Sequence, residues 1–320
     1  MNPEAKQFNL LETAVLIPCK NEAITIKKVV DDFRQQLPHA KIYVYDNNSL
    51  DDTSRIAKEA GAIVRFEKRQ GKGFVVESMF RDIEADIYIM VDGDDTYPAS
   101  RVLSLIAPIV EGKADMVVGN RLVEFGEHSF RNFHLFGNRL VANAVNKIFH
   151  GNLQDLMSGY RVFNRRFVKE VPIVSKGFEL ETEMTLQALY RNFVIQEIPI
   201  PYGVRPEGSA SKLRTFHDGA RVLLKIVDIF KAYRPLLFFG MIAIGFALLG
   251  MLLGSIPIIG FLQTGKVERF PTAILASGLM ILSFLTAACG IVLDGVNHRV
   301  KELSELINKS LANNYKGEGA

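Results

Sequence analysis

Four residues, Asp92-Gly93-Asp94-Asp95, follow directly on the apolar run Ile87-Tyr88-Ile89-Met90-Val91. Carboxylates clustered where a buried strand ends project hard oxygen ligands from the carboxyl edge of a sheet. That edge is where open α/β sheets bind ligands, and Mg²⁺ or Mn²⁺ held there could carry a diphosphate. An acidic turn can also be a plain solvated loop, so the rest of the chain has to support the reading. It is not an EF-hand: counting from Asp92, Tyr97 stands where that loop needs glycine and Leu103 where it needs the bidentate glutamate.

Other groups could serve such a site. Lys72 lies between Gly71 and Gly73, where a flexible backbone could come close to a phosphate, although neither a P-loop nor a dinucleotide fingerprint surrounds it. Asp46 ends the apolar run Ile42 to Tyr45 and could accept a hydrogen bond from a base or a ribose hydroxyl; equally, Asp46 and Ser49 could cap the helix that follows. Glu181 and Glu183 could meet sugar hydroxyls or simply begin a helix.

The elements that must position these groups are legible as alternation. Apolar runs at Ala14 to Pro18, Ile42 to Tyr45, Ala62 to Phe66, Ile87 to Val91 and Met116 to Val118 predict strands, and helical patterns follow the first two, through Phe33 and around Ser54 to Ala60. Such alternation predicts an α/β domain on a mainly parallel sheet. Amphipathic helices are expected over Phe130 to Phe149 and Phe216 to Tyr233, the second carrying a charged stripe suited to a membrane interface. Between Arg205 and Arg234, the basic residues Arg205, Lys212, Arg214, Arg221, Lys225, Lys231 and Arg234 outnumber Glu207, Asp218 and Asp228, a bias that would attract anionic headgroups.

Two segments without a charged residue, Pro235 to Gly265 and Phe270 to Leu293, are each long enough to cross a hydrocarbon core of about 30 Å. The short link between them makes a hairpin with both flanks on one side. Lys225, Lys231, Arg234, Arg299 and Lys301 on those flanks predict a cytoplasmic amino-terminal domain, although Lys266 and Arg269 in the link pull the other way. No signal peptide is expected, and the last dozen residues read as a frayed tail. Cys19 and Cys289 do not make a disulfide framework, and a net charge of +3 gives no reason to expect a nucleic-acid partner.

Taken in order, Ala14-Val15-Leu16-Ile17-Pro18-Cys19-Lys20-Asn21-Glu22, Asp46-Asn47-Asn48-Ser49 with Asp51-Asp52-Thr53, and Asp92-Gly93-Asp94 resemble the inverting family 2 glycosyltransferases of GT-A fold. Asp155-Leu156-Met157-Ser158-Gly159-Tyr160-Arg161 and the terminal hairpin narrow the resemblance to polyprenyl-phosphate glycosyltransferases, the group of dolichol-phosphate mannose synthase and bacterial undecaprenyl-phosphate sugar transferases. It covers residues 12 to 235 by motif. The resemblance implies that Pro18, Glu22 and Asp46 line the base and ribose pocket, and that Asp92 and Asp94 bind Mg²⁺ or Mn²⁺, Asp94 more directly and Asp95 as a helper. It further implies that Arg121 and Arg131 draw in the acceptor phosphate, and that Arg205, Ser209, Ser211 and Lys212 lie on a loop closing over phosphates. Asp155 would orient the sugar or an acceptor-side arginine. The family usually has Asp-Asp-Gly-Ser where this chain has Asp46-Asn47-Asn48-Ser49, which leaves a UDP- or a GDP-linked donor open.

A phosphate monoester is largely dianionic at pH 7 and needs no strong base to attack; arginine suits its bidentate recognition. The expected protein is therefore an integral membrane enzyme of a bacterial or archaeal plasma membrane, transferring one sugar from a nucleotide diphosphate sugar to polyprenyl phosphate. Its expected parts are a tail (1–12), a GT-A domain (13–212), a juxtamembrane helix (213–234), the hairpin (235–293) and a cytoplasmic tail (294–320), with the lipid bilayer as partner and a homo-oligomer left open. A processive polysaccharide synthase would carry Gln-x-x-Arg-Trp, and this chain has no tryptophan. A lipid-hydroxyl acceptor would need a base such as Asp155; a non-catalytic nucleotide-binding scaffold would not need Asp92 and Asp94.

Overall fold

The computed structural model describes residues 11–125, 132–149, 151–175, 180–206, 227–228, 230–267 and 269–317. The chain divides between residues 223 and 224 into two compact units.

The first unit is built on one seven-stranded sheet in the order β3-β2-β1-β4-β6-β5-β7. Its strands are β1 (Thr13–Cys19), β2 (Lys41–Asp46), β3 (Ile63–Phe66), β4 (Ile87–Met90), β5 (Met116–Phe125), β6 (Arg161–Asn164) and β7 (Ile195–Tyr202). Its helices are α1 (Ile26–Gln36), α2 (Thr53–Glu59), α3 (Lys72–Asp82), α4 (Val102–Val110), α5 (Asn132–Phe149), α6 (Arg165–Glu170) and α7 (Leu180–Tyr190). Strands β1 to β4 pair in parallel, as the alternation predicts. Strand β6 is inserted antiparallel between β4 and β5, and β7 returns parallel to β5 at the edge.

Period-two alternation divides the sheet's side chains between two cores. Val15, Ile17 and Cys19 of β1 face α1, whose Ile26, Val29, Val30 and Phe33 recur at helical spacing, and α4 with Leu105 and Ile106. Ala14 and Leu16 face the other way, toward Val75, Val76 and Met79 of α3, Phe167 of α6 and Met184 of α7. Cover on both faces is why these strands read as apolar runs.

The antiparallel run of β6 has a direct consequence for the site. Because β6 points against its neighbours, its beginning lies beside the carboxyl ends of β4 and β5. Residues 155–160, which lead into it, are delivered to the same edge as the acidic turn after β4.

The second unit contains α8 (Pro235–Thr264) and α9 (Phe270–Gly317). Proline begins α8, where a missing N–H costs nothing, and Gly265 ends it in the left-handed region at φ 68°. Pro235–Thr264 and the Phe270–Val300 part of α9 are each long and apolar enough to cross a membrane, with mean hydropathies of 2.6 and 2.1 in their apolar stretches, and they form a candidate hairpin. Gly250 and Gly254 bring α8 close to Ala276, and the Ser283 hydroxyl donates to the Ala243 carbonyl at 2.7 Å. The frayed tail expected over the last dozen residues is not what forms: α9 continues unbroken to Gly317. Beyond the apolar stretch, Arg299 and His298 each meet Glu302 one turn on, so helix propagates from a nucleus already formed. Most of the amphipathic segment expected over Phe216 to Tyr233 lies outside the described residues.

Candidate active site

The acidic turn is fixed from three sides. The Thr25 hydroxyl, just before α1, donates to the Gly93 carbonyl at 2.6 Å, and Lys28 of α1 pairs with Asp95 at 2.8 Å. Asp95 takes a left-handed φ of 58°. From the far side, the Gly159 N–H donates to the buried Tyr97 hydroxyl at 2.9 Å, tying the turn before β6 to the acidic turn. A Cβ at Gly159 would collide with the Asp92 carboxylate. Gly159→Ala is accordingly expected to leave the chain folded but to lower kcat/KM about a hundredfold, the scale of a misplacement of about 1 Å; circular dichroism beside steady-state kinetics checks both parts.

Each carboxylate of the turn meets a cation from another element. Asp92 Oδ1 accepts from Lys72 Nζ at 2.5 Å, and the same ammonium reaches Glu181 Oε1 of α7 at 2.6 Å. Burial works to lower the Lys72 ammonium, but Asp92 and Glu181 outweigh it and hold it above its ordinary value. Asp94, 2% exposed, pairs with Arg205 and accepts from the Thr96 hydroxyl at 2.6 Å. Burial and the charge of Asp92 raise its carboxyl against the pull of Arg205 and Thr96.

Arg121 stands where β5 slips out of register with β7, between Asn120 and Glu124, an irregularity that re-aims side chains next to sites. Its guanidinium grips Asp155 with two parallel bonds, Nε to Oδ2 at 2.7 Å and Nη2 to Oδ1 at 2.8 Å, and lies 5.2 Å from the Tyr202 ring centroid. Burial works to raise the Asp155 carboxyl, but Arg121 prevails and holds it below its ordinary value. Asn138 of α5 donates to Asp155 at 3.2 Å, and Glu197 of β7 accepts from the Asp155 N–H at 2.8 Å. Arg161, wholly buried, donates to the carbonyls of Leu156 and Ser158 and to the Thr185 hydroxyl, so the turn before β6 is wrapped around a guanidinium. Burial lowers that group to about 10, which leaves it cationic at neutral pH.

On the β1–β2 side, Pro18 is half-buried at the end of β1 and Glu22 is buried just beyond. The Asp46 carboxylate accepts from the Ser49 N–H at 2.9 Å and from the Ser54 hydroxyl, bracing the turn that leads to α2, but it does not cap that helix, whose N-cap is Asp52. Asn47 accounts for the departure from the family's usual second aspartate. Its Nδ2 donates to the carbonyls of Glu67 and Arg69, and its Oδ1 accepts from the Gly71 N–H at 2.8 Å. A carboxylate could not make the two donations, and the loop they secure leads straight to Lys72.

Of the residues singled out by sequence, Asp92, Asp94, Lys72, Arg205, Arg121, Asp155, Pro18, Glu22 and Asp46 lie on or beside the carboxyl edge of the sheet, whereas Arg131, Ser209 and Lys212 lie outside the described residues. Thr96, Tyr97, Asn138 and Glu197 escape sequence reasoning. Thr96, a hydroxyl two residues past Asp94, was the one with a local signal.

The two aspartates suit a divalent ion. They are hard oxygen donors on one turn braced by Thr25 and Gly159. Among the described residues no cluster of three or more His, Cys, Asp or Glu could hold a metal, so the remaining coordination positions would fall to phosphate and water, the usual arrangement for Mg²⁺.

Residues 14–171 match the domain described as Glycosyl transferase family 2. Glycosyltransferase AglJ of Haloferax volcanii is 34% identical over 234 residues, 73% of this chain and 76% of that protein. The chain belongs to glycosyl transferase family 2. A second relative, the dolichyl-phosphate hexose transferase of the same organism, is 26% identical over 70% of this chain and 96% of its own length. The fold matches glucosyl-3-phosphoglycerate synthase of Mycobacterium tuberculosis, solved with Mn²⁺, UDP and phosphoglyceric acid, at a TM-score of 0.58 over 72% of this chain and 81% of that one, with 19% identity. The family 2 transferase described here thus has the GT-A architecture, and its carboxyl-terminal unit carries a candidate membrane hairpin.

Proposed function

We propose that this glycosyltransferase moves a single sugar, with inversion, from a nucleotide diphosphate sugar to a polyprenyl phosphate at the cytoplasmic face of a membrane. The observation that carries the reading is the pairing of Arg121 with Asp155 at the edge that also holds Asp92 and Asp94. A cation suited to phosphate stands beside carboxylates suited to a metal-bound diphosphate. The relative named as a dolichyl-phosphate hexose transferase and the two apolar helices support a lipid-linked acceptor.

Asp92 and Asp94 would hold Mg²⁺ or Mn²⁺, which when bound supplies charge neutralisation for the leaving diphosphate. Pro18, Glu22 and Asp46 border the donor's base and ribose. Arg121, fixed by Asp155, holds the acceptor phosphate for in-line attack. A phosphate oxygen forms the new bond to the anomeric carbon, the bond from that carbon to the diphosphate oxygen breaks, and the nucleoside diphosphate departs with the electron pair. No proton has to be removed from a dianionic acceptor. Asp155, ion-paired and held below its ordinary value, is a poor base, which weighs against the lipid-hydroxyl alternative.

Membranes containing the protein, given polyprenyl phosphate and a panel of radiolabelled UDP- and GDP-sugars, are expected to form a lipid-linked sugar labile to mild acid. Failure with every donor, alongside an active control transferase, would overturn the reading.

A further inference from the structure

Lys72 is held more firmly than a lysine awaiting a phosphate needs to be. The Gly71 N–H is pinned by Asn47, which fixes the backbone where α3 begins. Its ammonium lies between Asp92 of the acidic turn and Glu181 in the first turn of α7, and the side chains of Lys72 and Glu181 are 15% and 6% exposed. Two elements thus clamp one cation against a carboxylate that the proposed function gives to a divalent ion.

We propose that Lys72, retained by Glu181, is the built-in counter-ion of the acidic turn: it occupies Asp92 until the donor diphosphate draws it across, so that metal and donor load together rather than in sequence. The inference rests on the assignment of Asp92 and Asp94 to the ion. A carboxylate oxygen already 2.5 Å from an ammonium offers less negative potential to a dication, and like charges a few ångströms apart in a part-buried site repel strongly. Arg205 on Asp94 acts in the same sense. The phosphates of the donor bring the negative charge that lets metal, Lys72 and Arg205 share the site. Glu181 is then a positioning residue. When Lys72 leaves Asp92, Glu181 keeps the ammonium beside the turn instead of releasing it to water. Linkage makes the coupling reciprocal, so the ion raises donor affinity by the factor by which the donor raises ion affinity.

The test is a Mn²⁺ titration of the full chain in lipid nanodiscs, without nucleotide, read by the electron paramagnetic resonance signal of free Mn²⁺. Lys72→Met is expected to bind Mn²⁺ at least tenfold more tightly than the parent, Lys72→Arg to stay near it, and Glu181→Gln to bind more weakly because the ammonium then bears on Asp92 alone. Thermal melts confirm that each variant folds; should Lys72→Met fail to fold, Lys72→Gln takes its place, and binding no tighter than the parent's overturns the inference in the same way. If Lys72→Met binds no more tightly while Asp94→Ala loses the ion, the counter-ion inference is overturned and the metal assignment stands. If Asp94→Ala binds Mn²⁺ as the parent does, the metal assignment fails and takes the inference with it.

Discussion

Asp94→Ala is expected to lower sugar transfer by about a thousandfold, the upper range for removing one preorganised electrostatic contact to a developing charge. The cause is local. Asp94 is buried, accepts from the Thr96 hydroxyl and pairs with Arg205, so its carboxylate is held in one place on the turn. Removing it leaves Arg205 without this carboxylate and leaves Asp92 facing any incoming ion without it. Transfer assays on membranes, with protein amounts matched by immunoblot, read the loss. Activity within tenfold of the parent would remove Asp94 from the chemistry.

The second large effect is expected at the Arg121–Asp155 pair. Asp155 has a fully buried side chain, and Arg121→Ala strands its charge, a change that costs about 3–5 kcal/mol in buried pairs. Transfer should fall with it, since the proposed phosphate ligand is lost. Thermal melts of the full chain in detergent measure the stability part, and the double change with Asp155→Asn should recover much of it, because no charge is then left unpaired. The pH dependence follows from the sign of the shift. A carboxyl depressed in the folded state contributes stability that is fully present above its unfolded value of 3.8 and is lost as pH falls through the lower folded value. The parent should therefore keep this contribution down to about pH 4. In Arg121→Ala, burial acts without the guanidinium and pushes the folded carboxyl above its unfolded value, so acidification through that range should neutralise the stranded charge and narrow the gap in melting temperature to the parent. Identical acid profiles for the two proteins would count against the pair.

How far these features can be read from residues alone depends on how local their causes are. Strands β1 to β4 are apolar runs closed by polar turns, and α1 shows its buried face at regular spacing, so both are legible. Strand β6 is not, because its Arg161-Val162-Phe163-Asn164 puts a fully buried arginine where a core strand should be apolar. Strand β7 carries Pro199 and Pro201, which argue against a strand unless it lies at an edge, and the edge position is a fact of topology. The continuous α9 is hidden for another reason: a change in polarity marks the end of an apolar stretch, not the end of a helix.

The site divides in the same manner. Asp92 and Asp94 announce themselves through the strand before them, and Asp155 through its motif. That Arg121 is the partner of Asp155, or that Glu181 reaches Lys72 across 109 positions of chain, depends on packing between distant segments. Asn47 reverses the lesson. Seen alone it is a departure from a pattern, and only the carbonyls of Glu67 and Arg69 explain why an amide stands there.

The reversed direction of β6 also bears on how this architecture can diversify. The excursion from β5 to β6 is stapled at both ends by interior strands, so its contents can be exchanged like a cassette without disturbing the scaffold that flanks it. On the proposed reading, what the enzyme gives its sugar to is written mainly on that cassette, and what it takes the sugar from is written on β1 to β4. Descendants of one ancestor could revise the recipient while inheriting the supplier unchanged.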